Sequence, residues 1–377
     1  MKPLSALLAL AASLMAAPAA TAQSDDAEHI AFAGESWQVR ANAARVENLD
    51  GREALYLERG RVWLDGTAFE NGVIEFELRM DQPVQGFAGL SFRAADFANF
   101  EDLYLRSHLS GLADAVQYMP VINGNGAWQV HAAGEGWAAA PFRHGEWMPV
   151  RLVVQGDRAD LFVDGETPVL HLPDLKADLG AGGIALRASG RQGFHFANFS
   201  QRPLRPGEGV VGEAEPLPEP PTGLIAQWSV SDPFPEAALE AQIDLAPSLI
   251  AERGWTALNV ETNGIANLSR AAVLGEEADT VFAAFSINSA SEVRRILRFG
   301  YSDRARVYLN GEMIFAGDAG WASRDYRFLG TVGLQDAVAL SLREGRNDIV
   351  IAVSETFGGW AVIADLPDRS GLSLVQP

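Results

Sequence analysis

The chain has 377 residues, of which 48% are hydrophobic and 21% are charged, and its formal net charge is −20 at pH 7. This length exceeds that of one ordinary domain, and the composition is that of a folded protein rather than a disordered one. The strong negative charge argues against a nucleic-acid partner and against a polybasic membrane anchor, because both need clustered lysine and arginine.

The beginning of the chain has the pattern of a secretory signal peptide. Lys2 precedes an apolar run over residues 4–15, and residues 20–22 (Ala-Thr-Ala) form a small-residue cleavage site before Gln23. The apolar run is too short to span a membrane. We therefore expect residues 1–22 to be removed and the mature chain to be exported to the periplasm or the medium. Because the chain contains no cysteine, it has neither a Cys for lipid attachment nor a disulfide.

Short β-type runs fill the segment from the end of the signal peptide to residue 200. Each run either alternates apolar and polar residues or is continuously apolar, and turn residues separate the runs. The clearest pair spans residues 150–165, where Gly156, Asp157 and Arg158 join two arms as in a β-hairpin. Long amphipathic helical periodicity does not occur. The pattern predicts that residues 23–200 form an all-β sandwich.

A segment rich in proline and glutamate interrupts this pattern at residues 201–222. It holds six prolines and four glutamates and no aromatic residue, which favours a semi-extended linker without a core of its own. Strand-like runs resume at residue 223 and continue to the end of the chain, with one short helix expected around residues 237–252. We therefore predict a second β-sandwich over residues 223–377, joined to the first by the linker and folding independently of it.

The first β-rich segment contains stretches that resemble a known superfamily. They are GTAFENGVIEFELRM (66–80), GFAGLSFRAADFANFEDLYLR (86–106), the hairpin VRLVVQGDRADLFVDG (150–165) and the closing run GFHFANFS (193–200). With them, residues 30–200 resemble the concanavalin A-like lectin/glucanase superfamily, with laminin-G-like and 3-keto-disaccharide hydrolase domains as the nearest types. The resemblance implies a jelly-roll sandwich with a concave sheet. The superfamily includes lectins, glycosidases and adhesion modules, so the fold alone does not name an activity.

The second β-rich segment resembles the galactose-binding-like jelly rolls that accompany many glycoside hydrolases. The stretches that carry this resemblance are RVYLNGEMIFAGD (306–318), RFLGTV (327–332), LREGRNDIVIAVSE (342–355) and GGWAVIADL (358–366). The resemblance implies an accessory or interaction module. Candidates for a sugar site at its rim, with a core role as the alternative, are Trp321, Arg324, Asp325 and Trp360.

The stretch NFEDLYLRSHLSGLADAVQY (99–118) holds the main candidate functional residues. Its first part alternates as a strand does, so that Leu103 and Leu105 face one side and polar side chains face the other. On a concave sheet such a face suits a sugar groove, and an ordinary solvated face with cross-strand ion pairs is the alternative. The predicted ligand-binding residues are Tyr104, Arg106, His108, Asp114, Gln117, Tyr118 and Trp137. For an enzyme, the catalytic candidates are Glu101, Asp102 and His108.

Motifs of metal and hydrolase chemistry are missing from the sequence. Neither HxH nor HExxH occurs, so we predict no metal ligands and no cofactor, with calcium left open because loop oxygens suffice to bind it. The ExDxxE strand of retaining glucanases is absent as well, which argues against a mechanism of that type.

These features predict an exported carbohydrate-binding protein that holds a glycan on the concave sheet of its N-terminal sandwich, with the second domain as an accessory module. Two alternatives stay open: a glycoside-cleaving enzyme of the 3-keto-disaccharide hydrolase type, and a laminin-G-like module for protein interaction. Carbohydrate is the expected partner, and a protein partner could bind through residues 223–377. We expect neither nucleic acid nor a membrane anchor as part of the function.

Overall fold

The computed structural model describes residues 28–131, 136–214, 216, 219–240, 242–320, 323 and 332–375. The predicted signal peptide, residues 1–22, lies outside the described residues, as do the candidate residues Trp321, Arg324 and Asp325. The described chain is almost entirely β-structure, and its antiparallel sheets curl into two jelly-roll sandwiches, one on each side of residues 203–222. The predicted all-β fold class is therefore confirmed.

The first sandwich consists of fourteen strands that form one continuous antiparallel sheet folded back on itself. The strands are β1 (His29–Phe32), β2 (Glu35–Leu49), β3 (Arg52–Leu64), β4 (Gly72–Arg79), β5 (Gly86–Ala94), β6 (Phe100–Arg106), β7 (Val116–Ile122), β8 (Asn125–Gly126), β9 (Trp137–Ala138), β10 (Trp147–Gln155), β11 (Arg158–Val163), β12 (Leu170–Leu172), β13 (Gly183–Gly190) and β14 (Phe194–Arg202). A short 3₁₀ helix, Ser107–Leu109, follows β6.

The long hairpin β2–β3 passes from one layer of this sandwich to the other. The first part of β3 pairs with β14, and its last part, from Gly60 onward, pairs with β13. Gly60 has φ +152°, and a Cβ at this position would lie 2.2 Å from the carbonyl oxygen of Arg40, so only glycine fits at the bend. The back sheet therefore has the order β12-β11-β10-β4-β14-β3, and the front sheet has the order β3-β13-β5-β6-β7.

The core of the first sandwich lies between the back sheet and the front sheet. Alternate residues of each strand point into it, among them Leu103 and Leu105 of β6, which have no exposed surface. Each buried leucine stabilises the fold by about 1.5–3 kcal/mol relative to an exposed one. The inward direction predicted for these two leucines is confirmed, so the opposite side of β6 belongs to the outer face of the front sheet.

The second sandwich consists of a seven-stranded sheet with the order β16-β15-β18-β23-β20-β21, in which β25 also pairs with β18, and a four-stranded sheet with the order β17-β24-β19-β22. The strands are β15 (Gln227–Ser231), β16 (Trp255–Asn259), β17 (Ala266–Asn267), β18 (Thr280–Ser289), β19 (Val293–Ser302), β20 (Arg304–Leu309), β21 (Glu312–Asp318), β22 (Asp336–Leu342), β23 (Gly345–Ser354), β24 (Ala361–Asp365) and β25 (Leu372–Val375).

Helices are few and short in the second sandwich. The helix expected around residues 237–252 is present as a 3₁₀ helix, Glu236–Leu239, and a five-residue helix α1, Pro247–Ala251, which starts at a proline. A further 3₁₀ helix spans Leu268–Arg270. Among the described residues, no helix has the length and apolarity needed to cross a membrane.

The core of the second sandwich contains two fully buried tryptophans, Trp228 and Trp360. Trp360 Nε1 donates to the carbonyl oxygen of Val353 (2.9 Å). Of the two roles considered for Trp360, sugar site or core, the structure therefore assigns the core. Asn310 and Gly311 join β20 and β21 with φ values of 53° and 91°, the positive angles that a two-residue hairpin turn requires.

The first half of the predicted linker, which we expected to be semi-extended and to have no core of its own, packs against the back sheet. Leu204 and Val210 cover an apolar strip on the outer face of this sheet, formed by Val73, Val153 and Phe162. The backbone N–H of Val211 donates to Asp160 Oδ2 (2.6 Å). Two isolated aliphatic side chains among prolines are enough to cover this strip, although the composition of the segment is that of a linker.

The two sandwiches contact each other at the edge of the front sheet. Ala127 and Val130, which follow β8, share a small apolar cluster with residues of the second sandwich, namely Ile265, Ala361 and Ile363. Two hydrogen bonds flank the cluster: Asn125 Nδ2 donates to Ser269 Oγ (3.0 Å), and Ser302 Oγ donates to Gln129 Oε1 (2.6 Å). Independent folding of the two halves stays a prediction, and this buried contact is among the interactions that separation would remove.

Candidate functional site

One transverse row of side chains crosses the outer face of the front sheet. Strand pairing places its members directly opposite one another on consecutive strands. The row consists of Arg40 (β2), Arg61 (β3), Arg187 (β13), Gly89 (β5), Tyr104 (β6), Gln117 (β7) and Trp137 (β9). Since neighbouring strands are about 4.8 Å apart, the row extends over roughly 29 Å. Its arginines occupy one end, and its amide and aromatic side chains occupy the other.

Asp102 lies in the adjacent row and is the carboxylate that holds two of these arginines. Arg61 Nη2 donates to Asp102 Oδ2 (3.1 Å), and Arg187 Nη1 donates to the same oxygen. Ser91 Oγ donates to Asp102 Oδ1 (2.8 Å). Burial lowers the pKa of Arg61, and the neighbouring positive charge of Arg187 lowers it further. The carboxylate of Asp102 raises this pKa but does not cancel the effect of burial. Asp102 has no exposed surface, whereas the Arg61 side chain keeps 26% of its surface exposed and can reach a ligand.

The other end of the transverse row forms a hydrogen-bonded network around Gln117. In the amide orientation that satisfies its neighbours, Gln117 donates to the Tyr104 hydroxyl (2.7 Å) and accepts from Trp137 Nε1 (3.3 Å) and Arg106 Nη1 (3.1 Å). Arg106 Nη1 also donates to Asp114 Oδ2 (2.5 Å). Burial raises the pKa of Tyr104 to about 12, so its hydroxyl is a neutral hydrogen-bonding group. The structure thus brings most of the predicted ligand-binding residues into mutual contact.

An aromatic patch lies beside the arginine end of the row. Trp63 contacts Phe97 and Phe100 edge to face, with 5.2 Å and 5.6 Å between ring centres. The Arg40 guanidinium lies 3.6 Å from the centre of the Phe97 ring, a cation–π contact. Phe97 is 43% exposed, so this ring offers an apolar surface next to charged hydrogen-bond donors.

Glu101 and Tyr118, both predicted site residues, lie on the interior face of the front sheet. Glu101 Oε2 accepts from the Tyr118 hydroxyl (2.7 Å), and its Oε1 accepts from the backbone N–H of Ala177 (3.1 Å). Neither side chain is more than 1% exposed, and burial raises the pKa of Glu101 to about 7. Because successive residues of a strand point to opposite sides, Glu101 and Asp102 cannot flank one bond of a substrate. Their position gives no support to a ligand contact by Glu101 or Tyr118.

His108, the third catalytic candidate, follows β6 in the 3₁₀ helix and packs its ring against Phe87, with 5.7 Å between ring centres. Burial and the neighbouring charge of Arg106 lower its pKa. His108 is far from Asp102 along β6. Asp102 and Arg106 are already about 13 Å apart in an extended strand, and His108 comes after Arg106 in the chain. The catalytic candidates therefore do not converge on one point. Within the described ranges, no group of three His, Asp or Glu side chains is placed to hold a metal ion.

Sequence reasoning did not find the arginines of the transverse row. Arg40, Arg61 and Arg187 lie on strands that are distant in the sequence, and each alone has the pattern of a solvated residue on an alternating strand. The alternation of β3 could have placed Arg61 and Trp63 on the same face. It could not have placed Arg61 opposite both Arg40 and Arg187, because that requires the register of two strand pairs.

No protein-family model and no curated protein matches the chain. Solved structures with similar folds include a carbohydrate-binding module, CBM66, from Bacillus subtilis, at 14% identity over 42% of this chain and 91% of that one, with a TM-score of 0.33. A β-glucanase from Bacillus licheniformis matches at 15% identity over 44% of this chain and 84% of that one, also with a TM-score of 0.33. A family 35 carbohydrate binding module from an environmental isolate matches at 21% identity over 28% and 77% of the two chains, with a TM-score of 0.22. Likenesses this low carry no information about activity.

Proposed function

We propose that this protein binds carbohydrate on the outer face of its front sheet, along the transverse row. The observation that carries the proposal is the combination of groups on that face: the guanidinium groups of Arg40 and Arg61 are accessible beside the exposed ring of Phe97, and the row continues through the buried Tyr104 and Gln117. A sugar has hydroxyl groups around its ring and an apolar C–H surface above and below it. A ligand of this kind needs both types of contact, with a few polar groups to orient it.

A guanidinium group of the face keeps a hydrogen-bond donor that the protein itself does not use. Arg61 donates through Nε and Nη2, and its Nη1 has no hydrogen-bond partner among the described residues. Tyr104 and Gln117 are buried, with 5% and 2% of their surface exposed, and they bond each other, so the accessible polar groups of the row are its guanidinium groups. Sugar hydroxyls both donate and accept, so they can accept from these groups.

The second sandwich extends the aromatic surface of the site, which supports its role as an accessory module. Trp128 stacks on Trp137, with 6.5 Å between ring centres and an interplanar angle of 28°. Phe357 of the second sandwich contacts Trp128, with 5.9 Å between ring centres, and is 58% exposed. A glycan longer than the transverse row would meet these rings next.

We also propose that the mature chain is exported, on the strength of the signal-peptide pattern.

Binding fits this geometry better than glycoside cleavage does. A hydrolase needs two titratable groups that converge on the bond to be broken. Glu101 faces the interior, Asp102 is held by Arg61 and Arg187, and His108 lies beyond the end of β6. The described residues thus offer ligand contacts on this face without an acid–base pair.

A glycan array probed with the full-length chain, with and without a calcium chelator, tests the proposal. Binding to at least one glycan is expected, and no binding to any glycan contradicts it. Phe97→Ala removes an exposed ring of the site and should weaken binding of the best glycan about fivefold to tenfold in titration calorimetry. Trp255→Ala is the matched control, because Trp255 is 38% exposed on the second sandwich, away from the row. Equal affinities of the two variants would contradict this location of the site.

A further inference from the structure

The transverse row places three arginines side by side. Arg40 of β2 is paired with Arg61 of β3, and Arg61 is paired with Arg187 of β13. Like charges in directly opposed positions of a sheet repel each other and destabilise it. The arrangement is all the more unusual because the chain as a whole is acidic, with a formal net charge of −20.

Protein carboxylates neutralise this charge only in part. One carboxylate, that of Asp102, accepts from both Arg61 and Arg187. Among the described residues, no carboxylate oxygen lies within 4.0 Å of the Arg40 guanidinium, which instead rests on the ring of Phe97. The burial that lowers the pKa of Arg61 also leaves its charge poorly compensated by water. The row therefore retains positive charge that a ligand can neutralise.

Two other nearby carboxylates do not pair with the arginines of the row. Asp114 pairs with Arg106 (2.5 Å). Asp96, in the loop that carries Phe97, accepts from the backbone N–H of Ala98 (2.7 Å) and keeps its negative charge, but it makes no ion pair with Arg40 within 4.0 Å.

The geometry of the two exposed guanidinium groups favours some anions over others. Arg40 is exposed, and the side chain of its neighbour Arg61 is 26% exposed. A guanidinium group presents parallel N–H donors in a plane, which match the two oxygens of a carboxylate. Two adjacent guanidinium groups beside an aromatic ring can hold a sugar ring and its carboxylate at the same time.

We propose that the carbohydrate bound by this face is acidic, a uronic-acid oligosaccharide whose carboxylate is bound by Arg40 and Arg61. The inference rests on the function proposed above and names the class of its ligand. The carboxylate replaces the missing counter-ion of Arg40, while the sugar ring lies against Phe97. Binding should weaken as the salt concentration rises, because the attraction is between partly exposed charges.

The test uses an oligogalacturonate and the same oligosaccharide after chemical reduction of its carboxyl groups. A sulfated oligosaccharide that has no carboxyl group is the third probe. The full-length chain should bind the oligogalacturonate about tenfold more tightly than the reduced form in calorimetry at low salt. Arg40→Gln should weaken binding of the oligogalacturonate much more than binding of the reduced form and so remove most of this difference. Arg158→Gln, an exposed arginine on the back sheet, is the matched control and should change neither affinity.

The outcomes distinguish this inference from the proposed function. Equal binding of the oligogalacturonate and its reduced form overturns the acidic ligand, and no effect of Arg40→Gln overturns the binding of its carboxylate by Arg40; either result leaves carbohydrate binding in place. Tight binding of the sulfated probe alone overturns the preference for carboxylate. Binding of none of the three probes, together with a negative glycan array, overturns both proposals.

Discussion

The outer faces of the back sheet and the front sheet belong to the same sandwich, yet their charges are arranged in opposite ways. On the back sheet, opposite charges face each other: Arg151 is paired with Glu75 across β10 and β4, and Arg79 bonds Asp50 (2.5 Å). On the front sheet, three arginines are paired in one row with a single buried aspartate beside them.

The back sheet is also covered where it is apolar. Leu204 and Val210 lie over its apolar strip, whereas Phe97 and the Arg61 side chain on the front sheet stay partly open to solvent. A face that serves only stability pairs its charges and covers its apolar surface. A face that keeps repulsion and open aromatic surface breaks both rules, and such violations are expected where a ligand binds.

The largest effect is expected from Asp102→Asn. This change removes the buried carboxylate that Arg61 and Arg187 share and leaves two guanidinium groups without their counter-ion. The free energy of unfolding in urea should fall by about 3–5 kcal/mol. Glu75→Gln on the back sheet, where Glu75 lies 4.0 Å from Arg202 Nε and both side chains are partly exposed, is the control and should cost about 0–1 kcal/mol. A similar small loss for both variants would mean that the two faces do not differ energetically.

A second prediction concerns the interior side of the front sheet. Burial raises the pKa of Glu101 to about 7 from an ordinary value of 4.5, so the folded state binds this proton more tightly than the unfolded state does. The stability contribution is therefore greatest below pH 4.5 and falls as the pH rises to about 7, by roughly 1–3 kcal/mol. Urea unfolding between pH 4.5 and 7.5 should show this decline in the wild type and not in Glu101→Gln. Parallel pH profiles of the wild type and Glu101→Gln would show that Glu101 does not cause the loss of stability with rising pH.

A charge substitution should cost less on the front sheet than on the back sheet. Arg40→Gln relieves repulsion by Arg61 and removes the cation–π contact with Phe97, two opposing effects, so the free energy of unfolding should change by less than about 0.5 kcal/mol. Arg151→Gln removes an attractive pair with Glu166 (3.2 Å) on the back sheet and should lower the free energy of unfolding by about 0.2–1 kcal/mol. Denaturant unfolding at low salt measures both. A loss of stability in Arg40→Gln as large as that in Arg151→Gln would argue that the row is not under repulsion.

The smallest effect is expected at the Glu47–His195 pair of the back sheet. His195 and Arg45 lower the pKa of Glu47 below its ordinary value of 4.5, and His195 Nε2 lies 2.9 Å from Glu47 Oε1. The pair therefore stabilises the protein above pH 4.5, and this contribution disappears as the pH falls through the lowered pKa, the reverse of Glu101. Because the carboxylate is partly exposed, Glu47→Gln should cost below about 0.5 kcal/mol at neutral pH. A larger loss in urea unfolding would place this pair among the buried ones.

Local alternation is a reliable guide to which side of a single strand a residue occupies. It places Leu103 and Leu105 on the side opposite to Asp102 and Tyr104, as the structure does. The same rule excludes Glu101 from the face of Asp102. It likewise separates Tyr118 from Gln117, because neighbours on a strand point to opposite sides. Glu101 and Tyr118, although predicted as site residues, both lie on the interior face.

The chain's own residue pattern was enough to establish the all-β class, the two sandwiches and the polar side of β6, because periodicity along one strand is local information. The residue pattern could not reveal the transverse row. Placing Arg61 between Arg40 and Arg187 depends on the bend at Gly60, on the pairing of β3 with two different strands, and on the register of each pair. These are decided by how the whole sandwich buries its interior faces, since a shift of one residue in any pair would turn that strand's charged side chains into the core.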